Sequence, residues 1–261
     1  FEPGFVFDAS RVFTAEDVFD LRRISKIVKS GKGCVAALSP LVVHEDNHQL
    51  LIFKPPGWLS QRNQTGDLSV NEIFAAYLKE KYQKPGNVFC AAVQRLDRPA
   101  AGLMILARTS KAAARISAQL SERTLEKHYL AITSAPLLGR HGVAKSIVLT
   151  ANMAKVDRAA RARPETGSQY LLTARLVGEA AGRYFYDVTI ETGKFHQIRA
   201  LMAAHGAPLI GDVKYGGLKL QHRKNAIGLI AIRLRYTHPT TGKEQVFSAP
   251  VDTGVINRYF I

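Results

Sequence analysis

The chain has 261 residues, of which 46% are hydrophobic and 22% are charged, a composition that supports a folded core and argues against intrinsic disorder. Its 36 lysines and arginines outnumber its 21 acidic residues, which gives a net charge of +15. Such an excess predicts a polyanionic partner, with nucleic acid as the first candidate and an anionic membrane surface as the second.

Membrane and metal sites find little support in the sequence. No stretch approaches the roughly 20 consecutive apolar residues of a membrane span, so we expect no membrane partner. Cys34 and Cys90 lack metal-ligand spacing and are predicted to be small buried apolar residues, with no metal site. Because the chain begins at Phe1 rather than at Met, a removed targeting segment stays open, and mitochondrial and cytoplasmic locations inside the cell are both compatible with it.

The first elements in chain order are a helix and a hairpin. Residues 1–40 are interpreted as an N-terminal extension with one predicted helix, Thr14–Lys29, which Thr14 would cap. The β-rich runs Leu41–His44 and Gln49–Phe53 are separated by a polar segment that includes Glu45-Asp46-Asn47, and they predict a hairpin. Residues 41–261 are expected to form the main domain.

Strands dominate the remainder of the chain. Apolar residues at helical spacing predict helices over Ser69–Lys81 and Thr109–Glu122, both packed on a sheet. The predicted strands are Gly102–Ala107, Lys127–Ile132, Ser146–Thr150, Gln169–Val177, Tyr184–Ile190, Ile227–Arg235 and Glu244–Phe247.

A basic segment lies between two of these strands. Lys155–Arg163 contains Lys155, Arg158 and Arg161 and almost no apolar anchor, so it predicts a mobile basic loop. Such a loop could bind RNA phosphates. The alternative is an ordinary solvated loop.

One acidic residue stands in an unusual setting. Asp97 lies between Arg95 and Arg98, whose positive charges favour the ionised carboxylate. A carboxylate of this kind can attack an electron-poor carbon or stabilise positive charge on a sugar, as in glycosidic-bond chemistry. The alternative is a surface salt-bridge cluster. The link to the buried strand Gly102–Ala107 would present Asp97 on a rigid scaffold.

A second polar cluster is predicted near residue 200. Phe195, Ile198 and Met202 would share one face of a helix, and His196 and Arg199 would share another. The apolar face would anchor the helix and leave the polar face free. Arg199 is the candidate to pair with the carboxylate described above, although an unpaired surface arginine is the ordinary alternative.

Five collinear segments resemble the RluA-like family of RNA pseudouridine synthases. They are Lys54–Gly57 (Lys-Pro-Pro-Gly), Arg95–Asp97 with Gly102, Lys127–Tyr129 (Lys-His-Tyr), Thr192–Arg199 (Thr-Gly-Lys-Phe-His-Gln-Ile-Arg), and Gly206-x-Pro208 followed by Gly211–Gly216. Each segment alone is a weak signal, but five in the family's order are strong support.

The resemblance implies an α+β fold with a mostly antiparallel mixed sheet, flanking helices and a central catalytic cleft in residues 41–261. It also implies isomerisation of uridine to pseudouridine in structured RNA, rRNA or tRNA, by base flipping. No metal or organic cofactor is expected.

The resemblance also implies roles for individual side chains. Asp97 would be the catalytic aspartate, Tyr129 would lie against the flipped base, and Arg199 would orient Asp97 through a salt bridge. Arg95 would help to hold the uridine outside the helical stack. Substrate or RNA contacts are expected from Arg95, Arg98, Lys127, Lys194, His196, Lys155, Arg158 and Arg161.

Alternatives stay open for two of these side chains. Without the resemblance, Tyr129 is interpreted as an aromatic residue of the core. His196 is interpreted as a hydrogen-bonding residue at a helix start rather than as an acid or base.

The chain departs from the family pattern at several positions. Gln94 replaces the usual His, Ala100 and Ala101 replace Thr-Ser, and Lys194 replaces a frequent Arg. These changes favour a second hypothesis, in which catalysis has lapsed and the protein binds RNA as a ribosome assembly or structural factor, alongside ribosomal or assembly proteins. The retained Asp97 favours the active enzyme.

Overall fold

The computed structural model describes residues 20–157, 159–162, 165–220 and 225–249. Its helices are α1 (Leu21–Ser30), α2 (Cys34–Leu38), α3 (Val70–Lys81), α4 (Ser110–Ser121) and α5 (Gln197–Ala204). Its strands are β1 (Val42–Glu45), β2 (Gln49–Lys54), β3 (Ala91–Ala92), β4 (Ala101–Ala107), β5 (Glu126–Thr133), β6 (Leu138–Gly139), β7 (Gly142–Val143), β8 (Ser146–Val156), β9 (Ala159–Ala162), β10 (Ser168–Ala180), β11 (Arg183–Thr189), β12 (Leu229–Thr237) and β13 (Glu244–Ser248).

Eleven of these strands form one sheet in the order β1-β2-β4-β12-β5-β11-β10-β8-β9, with β3 paired to β4 and β13 paired to β12. The β4–β12 pair is parallel and the other pairs of this sheet are antiparallel. β6 and β7 form a separate hairpin. The predicted α+β fold with a mostly antiparallel mixed sheet and flanking helices is confirmed.

Two of the predicted helices begin at caps formed by nearby side chains. Ser69 caps α3 in a capping box, in which the Glu72 carboxylate accepts the Ser69 backbone N–H at 2.9 Å. Thr109 caps α4 by accepting the N–H of Ala112 at 3.1 Å. Each cap satisfies backbone groups that have no partner inside the helix, so each helix begins where its cap stands.

The predicted start of the first helix is wrong. α1 begins at Leu21, because the Asp20 carboxylate accepts the N–H of Arg22 at 2.8 Å and caps the helix there; Thr14 lies outside the described residues. Ile24 of α1 and Cys34 of α2 are buried in the same core cluster as α3. Cys90, in contrast, is only partly buried.

The predicted basic loop at residues 155–163 is also wrong. β8 extends to Val156 and pairs antiparallel with β9, with Lys155 opposite Ala160. Backbone pairing does not need large apolar side chains, and the buried Ala159 and Ala160 anchor β9. Arg158 lies outside the described residues.

Gly102 allows β4 and β12 to approach closely at the start of β4. Its φ is +120°, and a Cβ atom there would lie 2.3 Å from the backbone nitrogen of Ala231 and 2.4 Å from its carbonyl oxygen. Only glycine fits this position. The pairing holds the segment before β4, which carries Asp97, against the start of β12.

None of the helices in the described part of the chain has the length and hydrophobicity of a membrane span.

Candidate active site

A cavity of about 700 Å³ opens where the loop before β4 meets the start of α5. Its volume lies in the ordinary range for small-molecule sites. Its charged lining, within the described residues, consists of six lysines and arginines and a single acid: Arg62, Arg95, Arg98, Lys194, Arg199, Lys214 and Asp97. The cavity therefore has the electrostatic character of a site for an anionic ligand.

Asp97 and Arg199 form the ion pair that the sequence predicted. Nη1 of Arg199 donates to Oδ2 of Asp97 at 2.9 Å. The rest of the guanidinium group binds Asp212 in a two-point contact, from Nε at 2.7 Å and from Nη2 at 2.9 Å. Burial disfavours the charge of Arg199, but the hydrogen bonds and charges of Asp212 and Asp97 outweigh burial and raise its pKa. The arginine is thus a fixed cation that positions Asp97.

The exposures of the three groups differ in a useful way. The Asp212 side chain is 1% exposed and that of Arg199 is 6% exposed, whereas the Asp97 side chain is 28% exposed. The buried Asp212 therefore holds Arg199 in place, and the carboxylate of Asp97 faces the cavity. The prediction that Arg199 lies on a free polar helix face is wrong, because α5 buries this side chain.

Arg98 does not hold Asp97 as its position in the sequence suggested. Its Nη2 lies 2.7 Å from Oδ2 of Asp67, and its Nε donates to the carbonyl oxygen of Gly57 at 2.9 Å. The Gly57 N–H in turn donates to the carbonyl of Arg98 at 2.7 Å. These contacts join the loop that carries Asp97 to the turn after β2.

A buried lysine lies beneath the same loop. Lys54 is 0% exposed, and its ammonium donates to the carbonyl oxygens of Pro55, Trp58 and Arg98 at 3.0, 3.1 and 3.2 Å. Burial lowers its pKa to about 7, a trend that the charge of Asp97 opposes and that of Arg98 reinforces. The three carbonyl acceptors match the three N–H bonds of the charged form. Lys54 therefore fastens the loop from below.

Tyr129 lines the cavity from β5. Its residue surface is 7% exposed, and burial, together with the nearby charge of Asp97, raises the pKa of its phenol. The hydroxyl therefore stays protonated across the physiological pH range. Tyr129 is therefore a residue of the core that also lines the cavity.

His196 stands before α5 rather than on its surface. Its backbone has φ +52° and ψ +30°, a left-handed conformation that is uncommon outside glycine, and α5 begins at Gln197. The predicted shared helical face of His196 and Arg199 is therefore wrong. Burial lowers the pKa of His196 to about 4; Arg199 and Lys214 also lower it, and Asp97 opposes them. The imidazole is neutral at pH 7.

The other predicted binding residues divide into two groups. Arg95, which is exposed, and Lys194 line the cavity with Asp97. Lys127 is buried two residues from Tyr129 on β5 and is absent from the lining, while Arg161 is exposed on β9.

Lys155 lies close to the site without lining it. Its ammonium is 5.1 Å from the ring centroid of Phe195, and the Phe195 ring stacks on the His196 ring at 3.9 Å. The paired strands β8 and β9 thus approach the cavity through this lysine.

Sequence reasoning assigned no role to Asp212, Tyr215 or Gln197. Asp212 and Tyr215 stand in the quoted segment Gly211–Gly216, and their spacing was the available signal. Gln197 is buried; its side-chain oxygen accepts the hydroxyl of Thr192 and the N–H of Lys194, both at 2.9 Å. It fixes the turn that leads into α5.

The chain is similar to known RNA pseudouridine synthases. A family model described as RNA pseudouridylate synthase matches residues 48–204. The uncharacterized RNA pseudouridine synthase YhcT of Bacillus subtilis (strain 168) is 32% identical over 224 residues, which cover 83% of this chain and 70% of that protein. The ribosomal large subunit pseudouridine synthase C of Buchnera aphidicola subsp. Schizaphis graminum (strain Sg) is 28% identical, with coverages of 81% and 67%.

A tRNA pseudouridine synthase and a solved structure are also similar to this chain. The tRNA pseudouridine synthase C of Yersinia pestis is 30% identical over 81% of this chain and 86% of its own length. The structure of human RNA pseudouridylate synthase domain containing 4 has a TM-score of 0.68 at 18% identity and covers 87% of this chain and 95% of that one; at this identity it supports the fold alone. The family model spans more than half of the residues, and the sequence relatives agree with it, so the chain belongs to the RluA-like family of RNA pseudouridine synthases, which are isomerases.

Proposed function

We propose that this protein isomerises uridine to pseudouridine in structured RNA and that Asp97 is its catalytic residue. The observation that carries the proposal is the Asp97 carboxylate, which Arg199 holds at 2.9 Å in a cavity lined by cations. Within the described chain, Oδ2 of Asp97 accepts this hydrogen bond, and Oδ1 has no protein donor. The group is therefore fixed in place with one oxygen left to react.

The reaction balances without an external oxidant or reductant. The bond between the base nitrogen and C1′ breaks, the base turns, and a carbon of the ring forms the new bond to C1′. That carbon loses a proton and the freed nitrogen gains one, so the product is an isomer of the substrate. Asp97 would either attack C1′ or take a proton from C2′, and both routes need an ionised carboxylate near the ribose.

The surroundings of Asp97 suit a flipped nucleotide. Tyr129 offers a ring against which a base can lie, and Arg95 at the rim can hold the uridine outside the helical stack. Lys194 and Arg62 can contact phosphates near the opening. Flipping costs a few kcal/mol of unstacking, which these charge contacts offset.

The class of RNA is a finer proposal. One relative is named for the large ribosomal subunit and another for tRNA, and we propose rRNA or tRNA as the substrate of this chain. Ribosomal or ribosome-assembly proteins would be its partners if the substrate is rRNA.

Of the departures from the family pattern, Ala100 and Lys194 line the cavity, whereas Gln94 and Ala101 are not among its described lining residues. The Gln94 side-chain amide donates to the carbonyl oxygen of Leu103 at 3.3 Å. Ala100 and Ala101 are 1% and 2% exposed and belong to the core. The Asp97–Arg199 ion pair is present together with these replacements, which supports retained turnover over the lapsed RNA-binding alternative.

The test is chemical mapping of pseudouridine after incubation with rRNA and tRNA that lack the modification. We expect product from the wild type and at least about a 10²-fold lower rate from Asp97→Asn, because the amide cannot act as nucleophile or base. RNA binding of the variant should be retained. Glu122→Gln is the control, since Glu122 is exposed at the end of α4, and it should keep the wild-type rate.

Two outcomes would contradict the proposal. If the wild type binds RNA but forms no pseudouridine in either substrate, the lapsed alternative holds. If Asp97→Asn turns over at the wild-type rate, another group performs the chemistry.

A further inference from the structure

The Tyr215 hydroxyl occupies a junction between the site and the β8–β9 pair. Its oxygen lies 2.8 Å from Nδ1 of His196 and accepts the backbone N–H of Ala160 at 2.7 Å. Its ring lies 5.2 Å from the guanidinium carbon of Arg199. One phenol therefore contacts the strand β9, the histidine before α5 and the arginine that holds Asp97.

The hydrogen-bond partners of this hydroxyl favour one neutral tautomer of the His196 imidazole. A tyrosine hydroxyl has one hydrogen to donate. The N–H of Ala160 points at the oxygen, and in the described chain the only acceptor within bonding distance of the hydroxyl is Nδ1 of His196. We therefore assign the hydroxyl hydrogen to Nδ1. A neutral imidazole that accepts at Nδ1 carries its own proton at Nε2.

The protonated nitrogen points toward the reactive carboxylate without bonding to it. Nε2 of His196 lies 3.8 Å from Oδ2 of Asp97, which is too long for a hydrogen bond. The stacking of the ring on Phe195, at 3.9 Å and 17°, resists a rotation that would close this gap. Nε2–H is thus a donor beside Asp97 with no protein acceptor in the described chain, and His196 lines the cavity.

We propose that Tyr215 is a positioning residue for the isomerisation: it fixes His196 as the Nε2–H tautomer, so that the ring donates a hydrogen bond to an oxygen of the flipped uridine beside Asp97. The inference rests on the proposed function for its substrate, whereas the tautomer stands on the geometry alone.

A neutral donor suits this location better than a cation. The charged groups that face His196 are Asp97, Asp212, Arg199 and Lys214, with Lys155 behind Phe195. An imidazolium at this distance would form a second ion pair with Asp97 and weaken the carboxylate as a nucleophile or base. A neutral N–H can bind the substrate and leave Asp97 with one ion pair.

The first test does not depend on activity. In the wild-type protein labelled with ¹⁵N at histidine, we expect the nuclear magnetic resonance spectrum at pH 7 to show His196 neutral and protonated at Nε2. In Tyr215→Phe, which keeps the ring and removes the hydroxyl, the spectrum should show a mixture of tautomers. Tyr82→Phe removes a hydroxyl that bonds Glu45 outside the cavity and should leave the His196 signals unchanged. A wild-type His196 protonated at Nδ1, or charged at pH 7, overturns the proposal.

The second test reads the reaction. Tyr215→Phe should lower kcat about tenfold, the expected loss for one hydrogen bond, with KM for RNA within about twofold of the wild type. His196→Gln keeps a donor near the position of Nε2 and has no tautomers, so adding Tyr215→Phe to it should cause no further loss of kcat. An equal loss in both backgrounds would show a merely structural role and overturn the proposal. If the wild type forms no product, the proposed function fails, and the tautomer is still decided by the spectrum.

Discussion

Two carboxylates lie at opposite ends of the β2–β4 pair, and they differ in the number of hydrogen bonds that they accept. Gln49 of β2 pairs with Ala107 and Lys54 pairs with Gly102, so Asp46 lies near one end of these strands and Asp97 near the other. Asp97 accepts one protein hydrogen bond within the described residues, from Arg199. Asp46 accepts five, from the backbone N–H of His48 and Gln49 and from the side chains of Gln49, His44 and His238.

The histidines at the two ends show the same contrast. Nδ1 of His238 accepts the N–H groups of Thr240 and Thr241, so its Nε2–H donates to Asp46 at 3.1 Å. Nε2 of His196, in contrast, lies 3.8 Å from Oδ2 of Asp97, beyond hydrogen-bond distance. A saturated carboxylate joins a turn to a sheet, whereas a fixed but unsaturated one beside a cavity is available for chemistry. Satisfaction of the oxygens, rather than residue type, separates structure from function here.

The largest expected effect is the loss of stability when the buried ion pair between Asp212 and Arg199, near Asp97, is broken. Asp212→Asn removes one charge of a buried two-point ion pair and should lower the free energy of unfolding by about 3–5 kcal/mol, measured by urea denaturation. The control is Asp67→Asn, which breaks the ion pair with Arg98, where both side chains are more than a third exposed; it should cost less than about 1 kcal/mol. Equal losses would show that burial does not distinguish these pairs.

The next largest effect is the pH dependence of stability that comes from Asp46, the carboxylate with five hydrogen bonds. Burial raises the pKa of Asp46, but the hydrogen bonds from His48 and Gln49 and then from side chains outweigh burial and lower it from 3.8 to about 2. A lowered carboxyl pKa stabilises the fold above pH 4, and this contribution is lost as the pH falls toward 2. Between pH 6 and pH 3 the wild type should therefore lose about 1 kcal/mol more unfolding free energy than Asp46→Asn.

Denaturation of both proteins at each pH measures this difference, and the subtraction cancels the acids that the two proteins share. Parallel losses in the two proteins would mean that the hydrogen bonds to Asp46 do not favour its charged form.

The smallest expected effect is on RNA binding, and it tests whether the RNA contacts lie only around the cavity that contains Asp97. Arg62→Gln removes a cation that lines the cavity and is 77% exposed. It should reduce the slope of log affinity against log salt by about 1. Lys111→Gln removes an exposed cation on α4, away from the lining residues, and should leave the slope unchanged. Filter binding of RNA between low and moderate salt measures both slopes, and equal slopes for the two variants would remove the distinction.

The sequence by itself determined the elements whose signals are local. The capping box of Ser69 with Glu72, the cap at Thr109 and the alternation of apolar residues act within a few positions, so α3, α4 and the β1–β2 hairpin were predictable. The collinear motifs identified the family, and the charge excess indicated a polyanion.

Only the tertiary structure decided which groups meet. Asp97 and Arg199 are 102 positions apart. Asp212, in the turn after α5, binds the rest of the Arg199 guanidinium group in a two-point contact. The His196 imidazole likewise meets the Tyr215 hydroxyl, 19 positions away. Such contacts are set by strand register and burial over long chain separations, where local sequence patterns carry no information.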